Sequence, residues 1–215
     1  MKRIFDLALA IFGLILLSPV FLVVALLVAI TDGFPILFRQ TRVGKGARPF
    51  EILKFRTMRR ANEGAAITVA GDNRITSIGR ILRATKLDEL PQLWNVVKGQ
   101  MSFVGPRPEV PRYVELYSPE ERQVLQLKPG ITDLASFAFF DESELLAKAA
   151  DPEAFYRQVV IPEKIRLNLA YAEKANPLLD LFLIVATVLR ALKLKMDLFA
   201  WLKVRPPDQT RSASQ

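Results

Sequence analysis

Residues 7–31 contain no charged side chain and consist mainly of Leu, Ile, Val, Phe and Ala. A helix of this length is sufficient to cross a hydrocarbon core of ~30 Å, so the segment belongs in a bilayer. It is longer than the apolar region of a secretory signal. No small-x-small cleavage pattern precedes the charged stretch that begins at Arg39, which argues against removal. Near its middle stand Ser18 and Pro19. Proline at 19 cannot donate a backbone hydrogen bond, so the Ile15 carbonyl loses its helical partner, and the Ser18 hydroxyl is placed to replace it. Basic residues flank both ends: Lys2 and Arg3 before, Arg39, Arg42, Lys45 and Arg48 after. The preference of such residues for the cytoplasmic side keeps both flanks on one face. A helix that enters, breaks at Ser18-Pro19 and returns satisfies the charges and the proline together, whereas a kinked spanning helix satisfies the proline alone. These residues leave both open.

The 215-residue chain carries a net charge of +8 and contains neither His nor Cys. Thiol nucleophiles, disulfides, imidazole bases and zinc sites of the usual nitrogen or sulfur kind are therefore excluded. Catalysis would have to rest on carboxylates, hydroxyls, Lys, Arg and oxygen-bound metals. The charge is local. Residues 39–86 hold twelve basic and three acidic side chains, so the excess sits directly after the apolar segment. Anionic lipid, a phosphorylated substrate or nucleic acid would suit it.

The remainder reads as mostly α with a small β component. Residues 34–38 and 50–58 have the character of short strands, and residues 62–73, rich in Gly and Ala, of a mobile loop. Helical periodicity governs residues 77–98, with Asp88 placed to cap a second helix, Pro91 tolerated in its first turn and Lys98-Gly99 closing it. Two prolines, Pro106 and Pro108, stiffen a loop around Arg107. Ser118-Pro119-Glu120-Glu121 opens a further helix that Lys128-Pro129-Gly130 ends. Two C-terminal helices follow over residues 152–174 and 177–195. The second is amphipathic and suited to a membrane surface, with a core helix as the other reading. The tail from Arg205 has a disordered composition.

Adjacent carboxylates Asp88 and Glu89 point about 100° apart on a helix and so suit two distinct roles. The helix N-terminus, Arg83 and Lys86 should favour ionised Asp88, as an oxygen nucleophile or metal ligand requires. Strand alternation places Lys54 and Arg56 on one face and Phe55 on the other. Together with Arg107, these cations have the character of a diphosphate clamp built from side chains, since no Gly-rich phosphate loop is present. Taken singly, each also reads as an ordinary surface charge or cap.

In combination, six motifs resemble those of the bacterial sugar transferases of monotopic phosphoglycosyl transferase type: Lys2-Arg3-x-x-Asp6, Ser18-Pro19, Lys54-Phe55-Arg56-Thr57-Met58, Leu87-Asp88-Glu89-Leu90-Pro91-Gln92, Val104-Gly105-Pro106-Arg107-Pro108 and Lys128-Pro129-Gly130-Ile131-Thr132. The resemblance, to the small type with only a catalytic domain, implies a re-entrant membrane helix over residues 1–32 broken at Ser18-Pro19. It implies a catalytic domain with interfacial helices over 33–195, and a C-terminal extension over 196–215. It further implies that Asp88 attacks the sugar-linked phosphate of a nucleoside diphosphate sugar, a UDP-sugar for most relatives. The phosphosugar then passes from Asp88 to polyprenyl phosphate, initiating a membrane glycoconjugate. Glu89 shares the catalytic dyad. Lys54, Arg56, Arg83 and Arg107 lie on the phosphate side, and Phe55, Pro106 and Pro108 support them. Mg²⁺ is the implied cofactor with Asp88 as its ligand. The implied location is the cytoplasmic face of the bacterial inner membrane, with membrane lipid as partner, no nucleic acid, and a homodimer allowed. Asp133 departs from the pattern, since many relatives carry Gly there, and the residues after it resemble a substrate-selecting loop. The competing expectation is a membrane-anchored basic protein that docks nucleic acid or anionic lipid. Only Phe50 and Phe55 interleave the basic stretch, which is little for base stacking.

Overall fold

The break at Ser18-Pro19 organises the N-terminal half. In the computed structural model, which describes residues 2–59, 68–191 and 194, α1 (Lys2–Leu16) and α2 (Ser18–Asp32) meet at a bend of 61°. The Ser18 hydroxyl donates to the Ile15 carbonyl at 2.8 Å, as the missing proline donor predicts. At 15 residues, each half rises only ~22 Å, and among the described residues no single helix is long and apolar enough to cross a membrane.

Both halves pack one face on the rest of the molecule. Ala10 of α1 is buried with Ile52, Val96 and Met101, while Val24 and Val28 of α2 are buried with Phe55 and Leu82. The opposite faces leave Phe12, Ile15, Leu22, Leu26 and Ile30 exposed. Polar contacts lock the start of α1. Arg3 donates to the Val96 and Val97 carbonyls, Lys2 pairs with Asp180, and buried Asp6 accepts from the Ser102 hydroxyl at 2.8 Å and the Phe103 amide at 3.2 Å. The Lys-Arg-x-x-Asp motif is thus the joint between the apolar helix and the domain.

Strands β1 (Leu37–Val43) and β2 (Pro49–Phe55) form an antiparallel hairpin with Lys54 opposite Phe38. The strand signal at residues 34–38 is therefore displaced, with β1 beginning at Leu37 and carrying Arg39 and Arg42. After α3 (Ser77–Ala84), capped by the Thr76 hydroxyl, comes a 3₁₀ turn over Leu87–Glu89 and then α4 (Gln92–Val97). Gly99, with φ 79°, follows the close of α4 at the predicted place. The expected cap at Asp88 is not formed. Asp88 lies inside the 3₁₀ turn, four residues before α4, and makes no side-chain cap bond.

Strands β3 (Ser102–Val104) and β4 (Gly130–Thr132), which periodicity did not reveal, pair in parallel and join the two proline motifs. A Cβ on Gly105 would fall 2.1 Å from the Lys128 carbonyl, and one on Gly130 would fall 2.2 Å from the Gly105 nitrogen. Backbones this close admit only glycine. Between them lie α5 (Pro111–Val114) and a 3₁₀ helix over Glu121–Gln126, shorter than the helix predicted there, although Ser118 and Glu121 do exchange the capping-box bonds. Short helices α6 (Leu134–Ala138), α7 (Glu142–Ala147) and α8 (Pro152–Phe155) lead through a π-helical segment, Tyr156–Val160, into α9 (Ile161–Lys174) and α10 (Pro177–Ala191). Helix α10 packs one face and leaves the other open. Leu179, Leu183 and Ala186 enter the main core, while Leu178, Leu181, Val185 and Val188 remain exposed. The predicted loop lies partly, and the C-terminal extension wholly, outside the described residues.

The two glycine contacts give a test of the β3–β4 junction. Gly105→Ala is expected to cost about 3 kcal/mol or more, because backbone must move. Gly46→Ala, at φ 67° with no neighbour within 4 Å, should cost only about 1–2 kcal/mol. Denaturant unfolding of the two variants checks this. Equal losses would show that the junction tolerates separation.

Candidate active site

Three separately supplied segments converge on the 3₁₀ turn. Lys54 comes from the end of β2, Arg107 from the loop after β3, and Lys86 from the residue before the turn. Lys86 adopts φ 58°, an unfavourable left-handed conformation for a side chain of this kind, which turns the chain sharply into Asp88-Glu89. Its ammonium rests 4.9 Å from the centroid of the Phe140 ring.

Glu89 is fully engaged. Arg107 approaches it with two nitrogens, at 2.6 Å and 3.2 Å, and Lys54 donates at 3.1 Å. Burial opposes the Glu89 charge, but Arg107 and Lys54 outweigh burial and hold the carboxyl well below its usual range. Glu89 in turn raises the affinity of Arg107 for its proton. Burial lowers Lys54 to about 8, against the pull of Glu89. A carboxylate so committed to two cations is a poor proton acceptor and a good orienting group.

Asp88 is in the opposite condition. It is 6% exposed, and its buried Oδ1 has no hydrogen-bond partner among the described residues. Burial pushes its pKa up, with Lys54 opposing and the neighbouring Glu89 adding to the rise. This corrects the expectation that a helix N-terminus would simply favour the charge, since the turn is not a helix start and desolvation dominates. The charged form depends on the cations around it.

Lys86, the residue before the turn, lines a cleft of about 690 Å³ together with Arg42, Lys54, Arg80, Arg83 and Arg107, while Asp88 and Glu89 lie behind these cations and are not among its lining residues. Of these, Arg80 and Arg83 line the cleft with side chains that have no hydrogen bond or ion pair among the described residues. Pro106 and Pro108 also line it, and their carbonyls accept from the Gly130 amide at 3.0 Å and from Arg42 at 3.1 Å. Phe55 supports the site from behind, its ring 5.7 Å from that of Phe21 on α2. Arg56 is the sequence-derived phosphate ligand that the structure does not bring to the cleft. Its guanidinium turns to the carbonyls of Asp32 and Gly33, where it caps the C-terminal end of α2. β2 ends at Phe55, so strand alternation no longer fixes the direction of residue 56.

Asp133, read as the departure in a substrate-selecting loop, is wholly buried. It caps α6 through the Ser136 amide at 2.6 Å and receives the Arg107 amide at 2.8 Å. Its role in the geometry is to hold Arg107 in place. The sequence reading missed Arg42, which joins Gln40, the Pro108 carbonyl and Glu109, and the cleft-lining Lys164 and Asn168 of α9. The position of Glu109 directly after the proline loop was the available signal.

The model of the family described as bacterial sugar transferase matches residues 1–194. The chain is 46% identical over 139 residues to a UDP-glucose:undecaprenyl-phosphate glucose-1-phosphate transferase of Caulobacter vibrioides, covering 62% of this chain and 52% of the relative. It is 45% identical over 145 residues to the exopolysaccharide production protein PSS of Rhizobium leguminosarum bv. phaseoli, covering 63% of this chain and 72% of the relative. With a UDP-glucose:undecaprenyl-phosphate glucose-1-phosphate transferase of Escherichia coli K12 it shares 34% identity over 200 residues, covering 88% of this chain and 40% of the relative. The chain thus spans about half the length of the Caulobacter relative and less of the Escherichia one. With Lys54 and Arg107 brought onto one buried carboxylate pair and the family match covering nearly its whole length, the chain belongs to the bacterial sugar transferase family.

Proposed function

We propose that the protein transfers a sugar 1-phosphate from a UDP-sugar to a polyprenyl phosphate such as undecaprenyl phosphate, through a phosphosugar held on Asp88. The observation that carries this reading is the asymmetry of the dyad. Glu89 is neutralised by Arg107 and Lys54, while the buried Asp88 oxygen has no hydrogen-bond partner among the described residues and sits behind Lys54, Lys86 and Arg107, which line a cationic cleft. A carboxylate with few hydrogen bonds has little solvation to lose on attack. In the first step an Asp88 oxygen bonds to the sugar-linked phosphorus, and the bond from that phosphorus to the bridging oxygen breaks, releasing UMP. In the second, an oxygen of polyprenyl phosphate bonds to the same phosphorus and the bond to Asp88 breaks, restoring the carboxylate. Arg107, Lys86, Arg80 and Arg83 supply the positive charge that a transferring phosphoryl group requires.

The Mg²⁺ implied by the family resemblance suits the residues present. Asp88 offers a buried oxygen without a partner, and no group of three or more carboxylates is assembled among the described residues. Mg²⁺ commonly takes one or two carboxylates and completes its shell with substrate phosphate and water. When bound there, the ion would neutralise charge on the diphosphate.

We extend the reading to the membrane. α1 and α2 form a re-entrant pair over residues 1–32, with residues 33–195 as the catalytic domain at the cytoplasmic face of the bacterial inner membrane and residues 196–215 as an extension. The 61° bend, the apolar outer faces and the basic residues at both ends support this. The acceptor's tail lies in lipid and its phosphate at the surface, so a site docked on a membrane helix meets it at the right depth. The competing reading of the basic stretch, a docking face for nucleic acid or lipid, is not favoured, because Arg42, Lys54, Arg80, Arg83 and Lys86 line a cleft rather than an open surface.

Purified protein supplied with a UDP-sugar and undecaprenyl phosphate is expected to release UMP only with Mg²⁺ present. Asp88→Asn should lower release by at least a thousandfold while leaving the unfolding midpoint near that of the parent. Normal turnover in that variant would remove Asp88 from the chemistry. Single cysteines at positions 2 and 46 should react with a membrane-impermeant thiol reagent from the same side of sealed vesicles. Labelling from opposite sides would establish a spanning helix.

A further inference from the structure

The cleft has a second chemical character that the phosphate chemistry leaves unused. Beside the cationic corner stands a wall formed by Glu109, Glu142, Tyr156, Lys164 and Asn168, with Tyr113 packed against Tyr156 at a ring separation of 5.2 Å. Most of these groups hold one another. Tyr156 donates to Glu109, Arg42 pairs with Glu109 at 3.3 Å, and Lys164 pairs with Glu142 beneath the Tyr156 ring. Asn168 is the exception. It is 4% exposed, lines the cleft, and its Oδ1 has no hydrogen-bond partner among the described residues.

An amide carbonyl buried without a donor is a cost that the fold does not require, since an apolar residue would pack at the same place beside Ile161 and Ile165. A ligand that brings a donor removes that cost. The wall offers mainly acceptors: the Asn168 carbonyl and the remaining lone pairs of Glu109 and Glu142. Phosphate presents acceptors only, and uracil presents two carbonyls for one N–H, so neither matches; the ribose offers two hydroxyl donors, and comparing UDP with UDP-sugar separates these from the hexose. A hexose presents several hydroxyl donors, and its apolar face suits the Tyr113–Tyr156 pair. Position agrees with chemistry. Glu109 is two residues from Arg107 in a loop stiffened by Pro106 and Pro108, so the wall begins beside the cationic corner of the same cleft. The π-helical segment that starts at Tyr156 turns this residue to the cleft, as such segments often do at binding sites.

We infer that this wall is the sugar subsite of the cleft and that Asn168 accepts a hydrogen bond from a hydroxyl of the donor hexose. The inference rests on the transferase reading above.

The test compares UDP-glucose and UDP-N-acetylgalactosamine with UDP, using the full chain in lipid nanodiscs. Asn168→Leu should raise the KM for the UDP-sugar on which the parent is active by about tenfold, the loss of one hydrogen bond to a buried acceptor. Its Kd for UDP should stay within twofold of the parent, which also reports that the variant is folded. Asn168→Asp retains an acceptor and should keep a KM near that of the parent. Equal weakening of UDP and UDP-sugar, or no change in either, in Asn168→Leu would overturn the subsite while leaving the transferase reading intact. Absence of UMP release by the parent with every UDP-sugar would overturn both.

Discussion

The site depends on how one buried carboxylate is neutralised. Glu89 receives Arg107 through two nitrogens and Lys54 through a third contact, and no such partner reaches the buried oxygen of Asp88. Two adjacent acids in a dry environment would raise each other's pKa until one took up a proton. Here the cations are allotted to Glu89, which remains ionised, and their residual field supports charge on Asp88. Removing Glu89 would therefore do more than delete a charge, because it would leave two buried cations facing each other. The same pair explains the surrounding motifs. Arg107 is fixed by the proline loop and by Asp133 at its amide, and that loop is fixed by a glycine-to-glycine approach between β3 and β4.

The second organising feature is the joint between the apolar helices and the domain. Lys2, Arg3 and Asp6 tie the start of α1 to α10, α4 and β3, while Arg56 caps the end of α2. Both ends of the bent pair are thereby held by charged groups, and the apolar faces between them pack against the strand that carries Lys54 and the helices on either side of Asp88. The apolar helices and the carboxylate pair share one packed unit. An interaction that tilts α2 will be felt at Phe55, one residue from Lys54.

Much of this was legible from particular residues. Ser18-Pro19 announced the break because a proline removes a donor irrespective of tertiary context, and the serine bond to Ile15 formed as expected. Lys54, Asp88, Glu89 and Arg107 were recognisable because stiff local backbone and paired motifs restrict where such side chains go. Failures occurred where long-range packing decides. Arg56 has the same sequence neighbourhood as Lys54, yet the carbonyls of α2, more than twenty residues away, claim its guanidinium. Asp88 carries every local sign of a helix cap, but the left-handed Lys86 places it in a 3₁₀ turn instead. Strands β3 and β4 are three residues each, too short for alternation to register, and the close approach of Gly105 and Gly130 that lets them touch is a long-range contact. Asn168 looks like any polar residue on α9 until the cleft beside it is known.

The central claim is that Asp88 carries the sugar phosphate between donor and acceptor. The protein incubated with Mg²⁺ and its UDP-sugar, without polyprenyl phosphate, then quenched in acid and weighed by intact mass spectrometry, tests it most directly. A mass increase of one sugar phosphate, mapped by peptide sequencing to Asp88 and lost on adding polyprenyl phosphate before the quench, is the predicted result. UMP formed only when both substrates are present, with the protein mass unchanged at every time point, would contradict the covalent route and indicate direct transfer between the two substrates.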